Sequence, residues 1–160
     1  MLKFVGICTL LFTSIVISSD LTSRRKRRLA LCEEMLRFVS FLRLQIGCFL
    51  RPVHEAAHSF DSDELSECGF LPIREAGDIR RAFYDSHAPE MLGQECTRVL
   101  DSLFSSLGTG YLEDEVRLID LHRSQLAELV DRERAEADRQ VKLIRTLTAS
   151  AALGVIILII

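Results

Sequence analysis

The stretch His54-Glu55-Ala56-Ala57-His58 has the spacing with which zinc metalloproteases hold their metal. On a helix, two histidines four residues apart share one face, and the glutamate between them can act as a general base. A catalytic zinc also needs a third protein ligand and an open position for water. After His58 the next histidine is His87, and no third ligand follows at the spacing of the known protease families. A zinc-dependent membrane protease is therefore an alternative that this motif leaves open but does not establish.

A structural zinc site is a second metal hypothesis for the same region. Its ligands would be Cys48, His54, His58 and Cys68, which are suitable in type. Their spacing, with one cysteine on each side of the histidines, matches no common zinc knuckle or ribbon. The simpler interpretation is that both histidines lie on the polar face of a short helix. The sequence therefore predicts no metal and no cofactor.

The rest of the sequence lacks the patterns of the common enzyme classes. It contains no glycine-rich phosphate loop, no nucleophile elbow and no cysteine paired with a histidine at a catalytic spacing. Its five cysteines are scattered without a C-x-x-C pair, which is typical of core residues in a reducing compartment. We expect a protein that is not an enzyme and has no small-molecule substrate.

Apolar and charged residues are segregated along the chain. Hydrophobic residues make up 48% of it and charged residues 27%, and the apolar runs lie at the two ends. The run FVGICTLLFTSIVISS follows Lys3, and the run TLTASAALGVIILII ends the sequence. A membrane helix needs about 17–25 residues, and flanking residues bring both runs close to that length. The sequence predicts transmembrane helices at 2–19 and 146–160.

Basic residues next to these runs predict their orientation. The cluster RRKRR at 24–28 follows the first run, and Arg139, Lys142 and Arg145 precede the second. Such residues stay on the cytoplasmic side of a membrane. The middle of the chain is therefore expected in the cytoplasm and both termini outside. The alternative of a cleaved signal peptide is disfavoured, because the basic cluster follows the apolar run instead of preceding it.

The middle of the chain has helical periodicity throughout. Between 29 and 50 apolar residues recur every three or four positions, at 29, 32, 36, 39, 42, 46 and 49. Pro52, Pro72 and Pro89 each suit the first turn of a new helix, and Gly108 and Gly110 suit a helix end. No strand-like alternation is present. The predicted fold is all-α, with a small cytoplasmic helical bundle at 29–145 flanked by N- and C-terminal transmembrane helices.

A long final helix is predicted from about residue 112, since no proline follows. Its apolar residues form a stripe with near-heptad spacing, made of Leu112, Val116, Ile119, Leu126, Val130 and Ala137. Such a stripe can pack inside a bundle or against a second chain. A coiled-coil membrane scaffold that associates with itself through 112–141 is therefore another open alternative.

The middle of the chain is strongly acidic. Residues 61–138 contain 8 basic and 19 acidic side chains, a net charge of −11. This sign argues against binding to nucleic acid, whose phosphates require basic residues. Acidic residues at this density can form an ordinary solvated surface or a docking face for a basic partner. The densest point, Glu113-Asp114-Glu115, is the candidate partner-binding site.

Four motifs, in order along the whole chain, resemble one family. They are the start MLKFVG, the stretch RPVHEAA at 51–57, the segment LGTGYLEDEVRLIDL from Leu107, and KLIRTL at 142–147. Together they resemble the stage III sporulation protein AB family. Six residues match the family's motifs and are expected to have a structural role: Pro52, Val53, Glu55, Ala56, Leu107 and Gly108. The chain departs from the family pattern at Arg51, Tyr111, Glu115 and Thr148.

The resemblance implies a role in sporulation. Members of this family belong to the channel that joins mother cell and forespore, and they are similar to the platform protein of type II secretion and type IV pilus systems. The resemblance thus implies a non-enzymatic platform in the mother-cell membrane around the forespore. Its partners would be a secretion-type ATPase and other subunits of the channel complex. It also implies that HEAAH stands where relatives have a bundle helix without paired histidines.

Overall fold

The structure is a computed structural model that describes the backbone of residues 2–71, 73, 79–108 and 110–159. Within these ranges, side chains are described for 23–71, 73, 79–108, 110–143 and 146. Every regular element of this part is an α-helix, which confirms the predicted all-α class. The helices are α1 (Leu2–Phe49), α2 (Val53–His58), α3 (Asp63–Glu67), α4 (Ile79–Asp85), α5 (Ala88–Leu92), α6 (Gln94–Ser106) and α7 (Leu112–Ile159).

The chain divides into two compact units. The first consists of Met1–Lys26 and Glu133–Ile160. Within it the guanidinium of Arg25 lies 3.8 Å from the carboxylate of Glu136, and the amide oxygen of Gln140 accepts a hydrogen bond from Arg25 at 2.7 Å. Both contacts join the beginning of the chain to its final helix.

The transmembrane predictions fall largely outside the described side chains. Of residues 2–19 and 146–160, only Thr146 has a described side chain, and its hydroxyl donates to the carbonyl of Lys142 at 2.8 Å. Among the described residues, no helix has both the length and the apolar character needed to cross a membrane.

The second unit, Arg27–Arg132, is a helical bundle with an aromatic core. Five phenylalanine rings contact one another there, with ring centroids 5.3–6.4 Å apart. Most of these pairs meet edge to face, the arrangement that the ring quadrupole favours. The rings come from α1, α4, α6 and the segments around α3, so the cluster joins elements that are distant in sequence: Phe38, Phe60, Phe70, Phe83 and Phe104.

Helices α1 and α7 run antiparallel in this unit. The Nε of Arg43 donates to Oδ1 of Asp120 at 3.2 Å. One turn later on α1 and one turn earlier on α7, Gly47 lies close to Val116. A Cβ added to Gly47 would be 3.4 Å from a valine methyl group. These contacts place the C-terminal end of α1 beside the N-terminal end of α7.

The apolar stripe of α7 is used inside the bundle. Ile119, Leu126 and Val130 are buried in the same core cluster as the stripe residues of α1. A coiled coil between two chains requires such a seam to be free. The self-associating scaffold therefore gains no support from the middle of this stripe.

Local sequence explains the ends of the short helices. Pro52 precedes α2, and the hydroxyl of Ser62 caps α3 by accepting from the backbone N–H of Leu65 at 3.4 Å. The same hydroxyl donates to Oε2 of Glu34 at 3.0 Å and so fixes α3 to α1.

The helix expected to start at Pro89 differs from the prediction. It is interrupted, because α5 ends at Leu92 and α6 begins at Gln94. Gly93 between them has φ 83°, a left-handed conformation that favours glycine, and an added Cβ would lie 2.6 Å from the guanidinium carbon of Arg28. The approach of Arg28 is a tertiary contact that helical periodicity does not reveal.

Candidate functional site

The described bundle has a groove of about 370 Å³ on its surface. Six of its eight lining residues are apolar or glycine, and its polar side chains are a histidine and a glutamate. The lining residues are Pro52, Val53, His54, Ile79, Phe104, Leu107, Gly108 and Glu115. A mostly apolar concave surface with few polar groups is typical of a binding site.

Two of the family motifs meet in this groove. Pro52 and Val53 form the start of α2, and Leu107 and Gly108 form the end of α6. The N–H of Leu107 donates to the carbonyl of Leu103 at 3.1 Å, which completes the last turn of α6. Gly108 then takes φ 80°, so that the chain turns sharply toward α7. Of the other motif residues, Glu55 is exposed and Ala56 is buried.

Large apolar residues are exposed at the same end of the bundle. Phe49 is 61% exposed, Leu50 68% and Tyr111 86%, and Leu112 is also exposed. The pairing of α1 with α7 places the first two beside the last two. We call Phe49, Leu50, Tyr111 and Leu112 the apolar rim. Exposed apolar residues that gather at one place mark interaction sites more often than single ones do.

Leu50 is strained as well as exposed. Its φ of 54° is left-handed and makes it the one described residue other than glycine with a positive φ. This conformation costs an L-residue with a Cβ about 1–2 kcal/mol. The next residue, Arg51, donates its N–H to the carbonyl of Gln45 at 3.2 Å, so the turn is held by a backbone hydrogen bond.

The acidic triplet predicted as a docking site occupies the first turn of α7. The N–H groups of Asp114 and Glu115 both donate to the carbonyl of Tyr111 at 3.0 Å. Acidic side chains here interact favourably with the helix dipole, by about 0.3–1 kcal/mol each. The three residues differ in their surroundings: Glu115 lines the groove, whereas Glu113 and Asp114 are exposed and do not line it. The triplet thus has a structural role in addition to any binding role.

The histidines of HEAAH point away from the core. Helix α2 is six residues long and buries Ala56 and Ala57, whereas His54 and His58 are exposed. His54 belongs to the groove lining and His58 does not. The buried alanines are therefore the part of this motif that holds α2 on the bundle.

The four proposed zinc ligands are not brought together. Cys48 is exposed at the end of α1, whereas Cys68 is buried and its Sγ donates to the carbonyl of Leu65 at 3.2 Å. Burial raises the pKa of the Cys68 thiol, which disfavours the thiolate that a metal would need. Among the described side chains, no group of three or more His, Cys, Asp or Glu residues could hold a metal ion.

A buried histidine that the sequence analysis did not single out connects α6 with α7. His122 is 6% exposed. Its Nδ1 lies 2.9 Å from the carbonyl of Leu118, so Nδ1 is the donor, and its Nε2 lies 3.2 Å from Oγ of Ser102. In the neutral ring Nε2 then accepts from the serine hydroxyl. This pairing satisfies a buried polar side chain and fixes α7 against α6.

Sequence reasoning identified part of the groove and missed the rest. It selected Pro52, Val53, Leu107 and Gly108 from a resemblance, without placing them in one site. Neither Ile79 nor Phe104 was singled out in the sequence. Their periodic spacing was the available signal, but it does not tell which apolar residue borders an opening.

The comparisons with known proteins agree with the motifs. The family model for stage III sporulation protein AB matches residues 3–160, almost the whole chain. No curated protein and no solved structure gives a significant match to the chain. Because the matched region extends over both described units, the chain belongs to the stage III sporulation protein AB family.

Proposed function

We propose that this sporulation protein is a non-enzymatic, membrane-anchored platform of the channel between mother cell and forespore. It couples a secretion-type ATPase to the membrane-embedded parts of that channel by binding both. The observation that carries the proposal is the groove with its apolar rim at one end of the bundle. A platform needs such a surface for its partners, whereas an isolated bundle would gain stability by closing it.

Two terminal anchors complete the proposed arrangement. The apolar segments 2–19 and 146–160 would cross the mother-cell membrane around the forespore. The basic residues at 24–28, with Arg139 and Lys142, would then lie on the cytoplasmic side. Both termini would lie outside, and the bundle would face the cytoplasm, where an ATPase is found.

The construction of the bundle suits binding better than chemistry. Its aromatic core connects four parts of the chain, and the groove is formed by elements attached to that core. A rigid support lowers the conformational cost of binding a partner. The exposed acidic residues near the groove supply charge that would speed the approach of a basic partner.

The test is retention of the ATPase from the same cells by the full-length chain in detergent micelles. We expect retention that weakens as salt is added, because exposed charges are screened. Changing Glu113, Asp114 and Glu115 together to lysine should abolish it. No retention by a wild-type chain that is folded and helical by circular dichroism would refute direct coupling.

A matched control separates the position of the charge from its amount. Asp61, Glu67 and Glu90 are exposed acidic residues elsewhere on the bundle. Changing these three to lysine alters the net charge equally and should leave retention unchanged. Equal loss in both triple variants would mean that only overall charge matters, and it would remove the docking face from the proposal.

A further inference from the structure

The groove offers two kinds of contact. Val53, Ile79, Phe104 and Leu107 provide apolar contacts. The lining also includes the exposed His54, and Glu115, which is half-buried, provides a carboxylate. An occupant that uses both must therefore combine an apolar group with a cation or a strong hydrogen-bond donor.

The charge around the groove is uncompensated. Glu55, Glu113, Asp114 and Glu115 make no ion pair with another residue of the described part of the chain. The exposed bases nearby in sequence are Arg51 and Arg117. Among the described residues named here, the four acidic side chains outnumber the two basic ones, and a cationic occupant would find partners for its charge.

The same excess of charge opposes a second copy of the chain as the occupant. A symmetric dimer through this end would place the two acidic surfaces face to face, since both copies use the same patch. Like charges across an interface are unfavourable. A nucleic acid is disfavoured for the same reason.

The apolar rim is close in sequence to the groove lining, since Leu50 is followed by Pro52 and Leu112 by Glu115 within one helical turn. Leu50, Tyr111 and Leu112 are exposed at the bundle end that carries Glu115. The strained backbone of Leu50 holds a large apolar side chain in solvent, and strain at an exposed position points to a functional use. A rim of this kind suits a peptide segment, which makes contacts beyond one pocket, better than a compact metabolite.

We infer that the groove binds a short segment of a partner protein in which an apolar side chain stands next to an arginine or lysine. The apolar side chain fills the space between Val53 and Leu107, and the cation pairs with Glu115. The apolar rim covers the flanking residues of the segment. This inference deepens the proposed platform function and depends on it for the existence of a partner.

The experiment uses random twelve-residue peptides displayed on phage and selected on the full-length chain in micelles. We expect enrichment of sequences that place leucine, isoleucine or phenylalanine beside arginine or lysine. Because the probe contains no ATPase, its outcome is independent of the retention experiment. Enrichment of acidic peptides, of purely apolar peptides or of no sequence at all would overturn the inference.

Variants then locate the binding of an enriched peptide, measured by fluorescence anisotropy. Glu115→Gln keeps the shape of the side chain and should weaken binding by about tenfold or more, as expected for loss of a charged partner. Val53→Asp should weaken it by at least as much. Glu90→Gln, the same change on α5, should have no effect.

Further outcomes keep the assignment open to refutation. If Val53→Asp does not fold, Glu115→Gln alone decides, and unchanged affinity for that variant contradicts the inference. Sedimentation of the chain without peptide tests the other occupant: a dimer that Glu115→Gln strengthens would show that a second copy fills the groove. Retention of the ATPase without peptide selectivity would leave the platform proposal intact and refute this one.

Discussion

Phe38 and Phe49 lie on the same helix, yet Phe38 is fully buried and Phe49 is 61% exposed. Phe38 contacts the rings of Phe60 and Phe70 with centroids 5.3 Å away in each case. Phe49 lies at the end of α1, beside Leu50 and its left-handed turn. The same residue type thus closes the interior of the bundle at one position and remains open to solvent at another.

The difference separates two tasks of the apolar residues. Those of the aromatic core stabilise the bundle, because burial of apolar surface is the dominant favourable term in folding. Those of the apolar rim contribute little to the stability of the isolated chain, since they remain in water. In the proposed complex, the partner segment would cover them.

The largest expected contrast is in thiol reactivity. Cys48 is exposed and directly precedes Phe49 of the apolar rim, whereas Cys32, Cys68 and Cys96 are buried in the core. A buried thiol reacts mainly through opening of the fold, which for a stable bundle slows modification by about a thousandfold or more. Peptide mapping after brief treatment with iodoacetamide should find Cys48 modified and the other three modified only in denaturant. Rapid modification of Cys68 in the native chain would show that the core is open.

A second contrast compares truncation of the two phenylalanines. Phe38→Ala should lower the free energy of unfolding by about 3–5 kcal/mol, because it removes a buried ring and leaves a cavity. Phe49→Ala should change it by less than about 0.5 kcal/mol, as for other exposed positions. Urea unfolding followed by far-ultraviolet circular dichroism measures both. If Phe38→Ala does not fold, Phe38→Leu serves in its place. If the variant at Phe38 loses no more unfolding free energy than Phe49→Ala does, the distinction between core and rim residues is wrong.

Leu50 allows stability and binding to be separated. Leu50→Gly should stabilise the bundle by about 0.5–1 kcal/mol, because relief of the left-handed strain exceeds the added freedom of the unfolded chain. The same change should weaken binding of the enriched peptides, since it removes an apolar contact. Leu50→Ala is the control, because it removes the contact but keeps the strain. We expect both variants to bind the peptides more weakly, and only Leu50→Gly to be more stable than the wild type. Tighter peptide binding by either variant would contradict this expectation.

The smallest effect on stability is expected for the surface ion pair between Arg80 and Asp101. The pKa of the Asp101 carboxyl is lowered, chiefly by the hydrogen bond from Arg80 at 2.7 Å. A lowered pKa contributes stability above the ordinary value of 3.8, and this contribution is lost as the pH falls through the folded value. Asp101→Asn should therefore be slightly less stable than the wild type at neutral pH and equal to it in strong acid. High salt should reduce the difference, because both side chains are partly exposed to solvent.

The fold class was predictable because helical periodicity is a local property. The apolar spacing from 29 to 49 and from 112 onward indicated helices, and α1 and α7 occupy these regions. Pro52 indicated a helix start through its fixed φ angle. The break at Gly93 was not predictable, since it depends on the approach of Arg28 from another helix.

The candidate site was predictable only in pieces. Glu115 was selected for its acidic neighbours, and Pro52 and Leu107 for a resemblance. Nothing in the sequence places them around one opening with Ile79 and Phe104. The stripe on α1 predicted the same role for Phe49 as for Ile46, because periodicity describes one helix and not what lies opposite it.

The sequence by itself determined that this chain forms helices with apolar faces, carries an acidic middle and belongs to a sporulation family. Only the tertiary structure decided which apolar residues are covered. Burial depends on neighbours that other helices supply, and at the end of α1 the described chain supplies too few to cover Phe49, Leu50 and Tyr111. The tertiary structure therefore produced the groove and its rim from residues that look alike in the sequence.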